Sequence, residues 1–218
     1  MKRAVYSGLA VVAWLAAPAL ANQLVNGSFE IGNSTPPEGW SYDWADWSHT
    51  PGIGAPTTGD PTIDVWHAGA YIDGQKAAHV SYGGALHGSY WIYQVFPTTP
   101  GQEYEVTGYY SGGIGGAQDF SGYGGWWEVG LIDGPYSNAA VNNPAPGVVI
   151  AKTELTAIPP TGNGFGWTPV TYQFTATGTS AVLYLKYGVS SGEYNYFGAN
   201  FDGFSVVAVP EPAAMLLM

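Results

Sequence analysis

Glu103-Tyr104-Glu105-Val106-Thr107-Gly108-Tyr109-Tyr110 places Tyr104, Val106 and Tyr110 on one face at period two, with Glu103, Glu105 and Thr107 on the other. That alternation is the pattern of a half-buried strand. Similar β-rich runs cover Thr62 to Trp66, Lys76 to Tyr82, Ser89 to Phe96, Trp126 to Ile132, Val148 to Lys152, Val170 to Thr175, Ala181 to Tyr187 and Asn200 to Val207. They are short, separated by Gly, Pro, Asn and Asp clusters, and accompanied by no amphipathic helical pattern. The chain is therefore expected to be all-β, an antiparallel jelly-roll β-sandwich over residues 22–208. Thr98-Thr99-Pro100-Gly101 reads as a tight turn in which glycine takes the positive φ, so the strands on either side are expected to pair as a hairpin. Asn33 to Asp60, Ser111 to Gly125 and Asp133 to Gly147 read as long loops, which in compact domains are usually functional or mobile.

Composition narrows the function. The 218 residues carry 16 Asp and Glu against 5 Lys and Arg. Nucleic-acid affinity comes largely from cations that neutralise phosphates, so a nucleic-acid partner is not expected, and neither is attraction to an anionic membrane. The absence of cysteine excludes disulfide frameworks, thiolate metal sites and cysteine nucleophiles. With 46% hydrophobic and only 10% charged residues, the chain is too apolar for a disordered acidic tail.

Both ends read as addresses. Lys2 and Arg3, the apolar run from Ala4 to Ala17, and Ala19-Leu20-Ala21 are the n-region, h-region and A-x-A site of a secretory signal peptide, with cleavage expected after Ala21. Cleavage leaves three basic residues, Lys76, Lys152 and Lys186, against the 16 acidic ones, a net charge of −13. At the other end, Val209-Pro210-Glu211-Pro212 and the apolar residues after it resemble the start of the PEP-CTERM sorting signal of exopolysaccharide-producing Gram-negative bacteria. In that family an apolar helix and a basic cluster follow the Pro-Glu-Pro, and an exosortase processes the tail. Here residues 213–218 contain neither Lys nor Arg, and the segment 209–218 reads as a truncated form of the signal. The resemblance implies a secreted or outer-surface protein, with exosortase-type machinery as a partner.

The order of short motifs carries a second resemblance. Asn26-Gly27-Ser28-Phe29-Glu30 followed by Trp40, then Asp73-Gly74, Tyr93-Gln94-Val95 and Pro100-Gly101-Gln102-Glu103-Tyr104, and finally Trp167, Phe174-Thr175-Ala176 and Phe201-Asp202-Gly203-Phe204-Ser205-Val206 span the body. Together they resemble the exported galactose-binding-like sandwiches that include carbohydrate-binding modules of families 4, 9 and 22. The resemblance implies that Glu30 and Asp202 help to hold a structural calcium ion, a hard cation that takes six to eight oxygens. The competing reading of these two acids is that they accept hydrogen bonds from backbone amides at strand ends.

Aromatic residues supply the other candidate chemistry. An aromatic face against the C–H face of a pyranose, with a few orienting polar groups, is the physical basis of sugar binding. Trp40, Trp44 and Trp47 cluster with Asp43 and Asp46 in the first long segment, and Trp126-Trp127 borders the glycine-rich one. Neighbouring strand residues point to opposite faces, so only one of Trp126 and Trp127 serves the core. The same argument applies to Tyr90-Trp91-Ile92-Tyr93. Trp44, Trp47, Trp91, Trp126 and Trp127 are therefore the candidate glycan contacts, while Trp40 matches a structural position of the resembling family. No His-x-His, HExxH or nucleophile-elbow spacing occurs. Glu103 and Glu105 share one strand and do not bracket a cleft from separate elements, as a glycosidase pair does. A non-catalytic glycan- or exopolysaccharide-binding sandwich of the envelope or matrix is the leading expectation. A purely structural matrix protein and a polysaccharide-degrading jelly roll are the other readings.

Overall fold

A computed structural model of the chain describes residues 21–32, 36–45, 62–63, 72, 74, 77–83, 88–114, 124–155, 167–191 and 196–210. The described elements run β1 (Ser41–Ala45), β2 (Thr62–Ile63), β3 (Ala78–Gly83), β4 (Gly88–Pro97), β5 (Glu103–Ile114), β6 (Gly124–Ile132), α1 (Asn138–Asn142), β7 (Val149–Leu155), β8 (Thr168–Thr175), β9 (Ser180–Ser191) and β10 (Tyr196–Ala208). The strands form two antiparallel five-stranded sheets, ordered β1-β4-β9-β6-β7 and β2-β3-β10-β5-β8. The all-β antiparallel sandwich expected from the alternation is what the chain forms.

The core is the set of side chains that each strand turns inward. In β5 the alternation is as read: Tyr104, Val106 and Tyr110 are buried, while Glu103 is exposed and Glu105 and Thr107 lie at the outer face. They meet Ile92 and Phe96 of β4, Leu183 and Leu185 of β9, and Trp127, Val129 and Leu131 of β6. In β10 the register shifts between Asp202 and Ser205, where Gly203 takes φ 61°. This bulge turns both Phe201 and Phe204 into the core and gives Asp202 its own direction. Gly108 makes room for it, because a Cβ there would stand 2.4 Å from the Phe204 ring.

The predicted hairpin at Thr98-Thr99-Pro100-Gly101 is not formed. β4 pairs with β1 and β9, and β5 pairs with β10 and β8, so the turn carries the chain from one sheet to the other. Gly101 does take the expected positive φ, 84°. The turn is stitched to the neighbouring β8–β9 connection: Thr98 N–H donates to Thr179 O at 3.0 Å and Gly101 N–H to Ala176 O at 2.8 Å. Among successive described strands, only β2–β3 and β6–β7 pair with each other. Repeated passage between layers gives the jelly-roll winding.

Three segments read as loops hold regular structure. β1 lies inside residues 33–60, α1 inside 133–147, and β5 continues through Ile114 into the glycine-rich stretch, where Gly112 and Gly113 pair with Ala199 and Gly198. Of the predicted strand Thr62 to Trp66, residues 62–63 are described.

The N-terminal segment joins the last strand directly. Gln23 N–H donates to Val206 O at 2.8 Å, Val206 N–H to Asn22 Oδ1 at 2.9 Å, and Phe204 N–H to Gly27 O at 2.9 Å. Gln94, at an otherwise apolar inward position of β4, receives Val25 N–H on Oε1 at 2.7 Å and donates Nε2 to Val25 O and Gly39 O at 2.9 and 2.7 Å. Its amide thus pairs with the first segment much as a strand would.

Candidate functional site

The outer face of the β1-β4-β9-β6-β7 sheet has an unusual composition. Cross-strand pairing lines up Asp43, Trp91, Lys186, Glu128 and Lys152 in a single row over all five strands. Period-two alternation puts these residues opposite the inward Ile92, Leu185 and Val129, so the same strands that build the core build this row. Flanking rows contain Tyr93, Tyr184 and Gly130 on one side, and Ser89, Gly188 and Trp126 on the other. Two glycines seat the large rings. A Cβ at Gly130 would lie 2.0 Å from the Tyr184 ring, and one at Gly188 would lie 2.2 Å from the Trp126 indole, so each ring lies over the cross-strand glycine.

A strap formed by residues 133–148 covers the middle of this face. Its helix α1 begins at Ser137, whose Oγ accepts Ala140 N–H at 3.3 Å. Val141 is completely buried against Trp91 and Tyr184. Beneath it Lys186, 2% exposed, donates Nζ to Val141 O at 2.7 Å and lies 3.6 Å from Glu128 Oε1. The same ammonium stands 5.3 Å from the Trp91 ring centroid and 5.0 Å from that of Trp126. Glu128 Oε1 also accepts the Tyr184 hydroxyl at 3.1 Å. Burial, reinforced by the Glu128 charge and hydrogen bond, pushes the Tyr184 phenol up from its ordinary value of 10.0. Tyr136 anchors the other end of the strap. Its ring stacks on Tyr93 at 3.8 Å and 4°, and its hydroxyl accepts Trp91 Nε1–H at 3.1 Å and donates to Asp43 Oδ2 at 2.6 Å.

The sequence candidates separate in this frame. Trp126 is half-buried at the edge of the outer face, with Lys152 Nζ 4.8 Å and Lys186 Nζ 5.0 Å from its ring. Trp127 points into the core, edge-on to Tyr110 at 6.2 Å, and offers no ring to solvent. Trp91 does face outward, but at 1% exposure beneath the strap it too is withdrawn from a glycan. These two candidates are corrected: the first fails through pleat direction, the second through a covering segment that strand periodicity cannot reveal. The backbone of Trp44 pairs with Tyr90, while its side chain and the whole of Trp47 lie outside the described residues. Trp40 is structural, buried on Phe29 with Nε1–H donating to Asn26 O at 3.2 Å. Reading the sequence also missed Tyr136, Lys186 and Glu128. The last two were visible only as polar residues on the outward phase of apolar strands.

Glu30 and Asp202 approach one turn from opposite ends of the chain. Asp202 is fully buried, its Oδ2 accepting Ile72 N–H and its Oδ1 accepting Gly203 N–H, both at 2.7 Å. Gly74, at φ 68°, lies under Glu30, whose carboxyl carbon would stand 2.3 Å from a Cβ there. Both Asp202 oxygens thus accept backbone amides, the arrangement of the competing reading, while Glu30 lies against Gly74. Among the described residues no group of three His, Cys, Asp or Glu gathers as a metal cluster.

No protein-family model matches the chain, and no curated protein sequence matches it. Among solved structures it is similar to a cyclase from Fischerella sp. TAU in complex with 4-(1H-indol-3-yl)butan-2-one, at 18% identity over 89% of this chain and 100% of that one, TM-score 0.53. It is also similar to TmCBM61 in complex with β-1,4-galactotriose, at 14% identity over 87% and 99%, TM-score 0.45. A cleaved adhesin domain of Lys-gingipain from Porphyromonas gingivalis aligns at 16% identity over 84% and 96%, TM-score 0.47. At 18% identity and a TM-score of 0.53, the similarity to the cyclase speaks to the fold alone.

Proposed function

We propose that this protein is an exported, non-catalytic β-sandwich of the cell envelope or extracellular matrix that binds glycans on the outer face of the sheet carrying β4, β6 and β9. The observation that carries the reading is the make-up of that face. Half-buried rings at Trp126, Tyr93 and Tyr136 stand beside the half-buried Asp43 and the exposed Lys152, the pairing of apolar ring faces and orienting polar groups that sugar recognition uses. Export is supported by the basic, apolar and A-x-A parts of residues 1–21, and Asn22 and Gln23, the first residues after the proposed cleavage site, are bound to β10. Exosortase-type processing is supported by the Pro210-Glu211-Pro212 motif, which directly follows Val209, itself held by Glu103 O and Gln102 Nε2. In the same reading Glu30 and Asp202 hold a structural calcium ion, with further ligands from carbonyl oxygens or water, that ties Ile72 and Gly74 to β10.

The test is affinity electrophoresis of the secreted protein in gels containing galactan, mannan, xylan or β-glucan. Retardation by at least one polymer is expected, with Trp126→Ala reducing it about tenfold, a change of about 1.4 kcal/mol. Folded protein that none of the polymers retards would overturn glycan binding, and release of sugar products from any of them would overturn the non-catalytic reading.

A further inference from the structure

We propose that Tyr136 and Asp43 form a second, preorganised subsite for one neutral pyranose residue, on the opposite side of the sheet face from Trp126. The inference rests on the glycan-binding reading of that face and specifies where and how a second sugar sits. Three contacts fix the Tyr136 ring before any ligand arrives: the parallel stack on Tyr93 at 3.8 Å, the hydrogen bond from Trp91 Nε1–H at 3.1 Å, and the bond to Asp43 Oδ2 at 2.6 Å. The ring is half-buried, and among the described residues no aromatic other than Tyr93 stacks on it. A plane held in this way loses little rotamer freedom on binding.

The neighbouring group sets the ligand class. A half-buried carboxylate beside an aromatic plane accepts hydroxyl hydrogens from a sugar lying on that plane, and its negative charge opposes uronates. Position sets the ligand size. Tyr93 is on β4 opposite Tyr184 and Trp126 is on β6 opposite Gly188, so the two positions lie two strand spacings apart across β9 and four residues apart along it, about 16 Å in all. A glycan running diagonally across the face would engage both platforms, and a single sugar would reach only one.

The experiment uses the same gels, with alginate added as the anionic probe, and variants Tyr136→Ala, Tyr136→Phe, Asp43→Asn and Trp126→Ala confirmed as folded by thermal melting. Retardation by a neutral polymer should fall about tenfold in Tyr136→Ala and about threefold in Tyr136→Phe, which keeps the ring but loses both hydrogen bonds, while alginate leaves the parent protein unretarded. Full affinity in Tyr136→Ala together with loss in Trp126→Ala would overturn this subsite and leave glycan binding standing. If Tyr136→Ala does not fold, unchanged affinity in both Tyr136→Phe and Asp43→Asn overturns it equally. Stronger retardation by alginate than by any neutral polymer overturns the assigned ligand class, and absence of retardation by every polymer overturns both proposals.

Discussion

Lys186 shows how a single residue is decided by its surroundings. In the sequence it interrupts the apolar run Leu183-Tyr184-Leu185, and nothing there tells whether water or protein receives its ammonium. In the fold it is 2% exposed, bound to Val141 O and 3.6 Å from Glu128. Desolvation makes such a pair a poor source of net stability but a costly one to break. Lys186→Met alone should lower the urea-unfolding free energy by about 3–5 kcal/mol, because it leaves the Glu128 charge buried. The double variant Lys186→Met/Glu128→Gln should recover most of that loss, and additive losses would contradict the coupling. Buried phenols give a pH prediction at the same scale. Burial raises Tyr187, and burial with Glu128 raises Tyr184, from 10.0. The folded state then keeps protons that the unfolded chain releases above pH 10, so stability is intact below pH 10 and falls above it. Urea unfolding should show a loss of about 2 kcal/mol between pH 10 and 11 from these two residues, and a flat profile would contradict it.

Elements were easier to find than to connect. The alternation in β5 and the phase of Trp127 were legible because pleat direction is a local property. The Thr98–Gly101 connection was not, since a turn residue fixes backbone angles but does not say whether the next strand pairs or crosses to the other layer. β1 escaped notice because Ser41-Tyr42-Asp43-Trp44-Ala45 has polar residues on its outward phase and follows a proline-rich stretch. The strap escaped notice because five helical residues hold no period, and its helix is stabilised by packing on Trp91 and Tyr184 rather than by propensity. Gln94 was legible only as part of a motif. Its role is to pair with Val25 and Gly39, so Gln94→Ala should cost about 3 kcal/mol by leaving part-buried backbone groups unsatisfied. Thr107→Ala, which removes the 2.8 Å contact with Ser205 on the outer face of β5, should cost no more than about 1 kcal/mol in the same denaturation assay.

At the scale of the whole molecule, the question is what joins the two ends of a chain without disulfides. Hydrogen bonds of the Asn22 side chain and of the Gln23 and Gly27 backbone with β10 supply one tie, and a calcium ion held by Glu30 and Asp202, as proposed, would supply another. Millimolar calcium at about a hundredfold excess over its dissociation constant should stabilise the protein by about 2.7 kcal/mol, a rise in melting temperature of about 5–10 °C over the chelated sample. Identical midpoints would remove calcium from the account. Charge is distributed just as unevenly: the two described lysines, Lys152 and Lys186, both stand within about 5 Å of the Trp126 ring in a chain of net charge −11. By itself the sequence determined the all-β class, the inward and outward phase of most strands, the acidic character and the exclusion of cysteine chemistry, because each follows from composition or from neighbours two residues apart. Only the tertiary structure decided which strands share a sheet, that Trp91 is sealed while Trp126 is not, and that Asp43, Tyr136 and Tyr93 meet. Those facts depend on contacts between segments separated by tens of residues, and no local period records them.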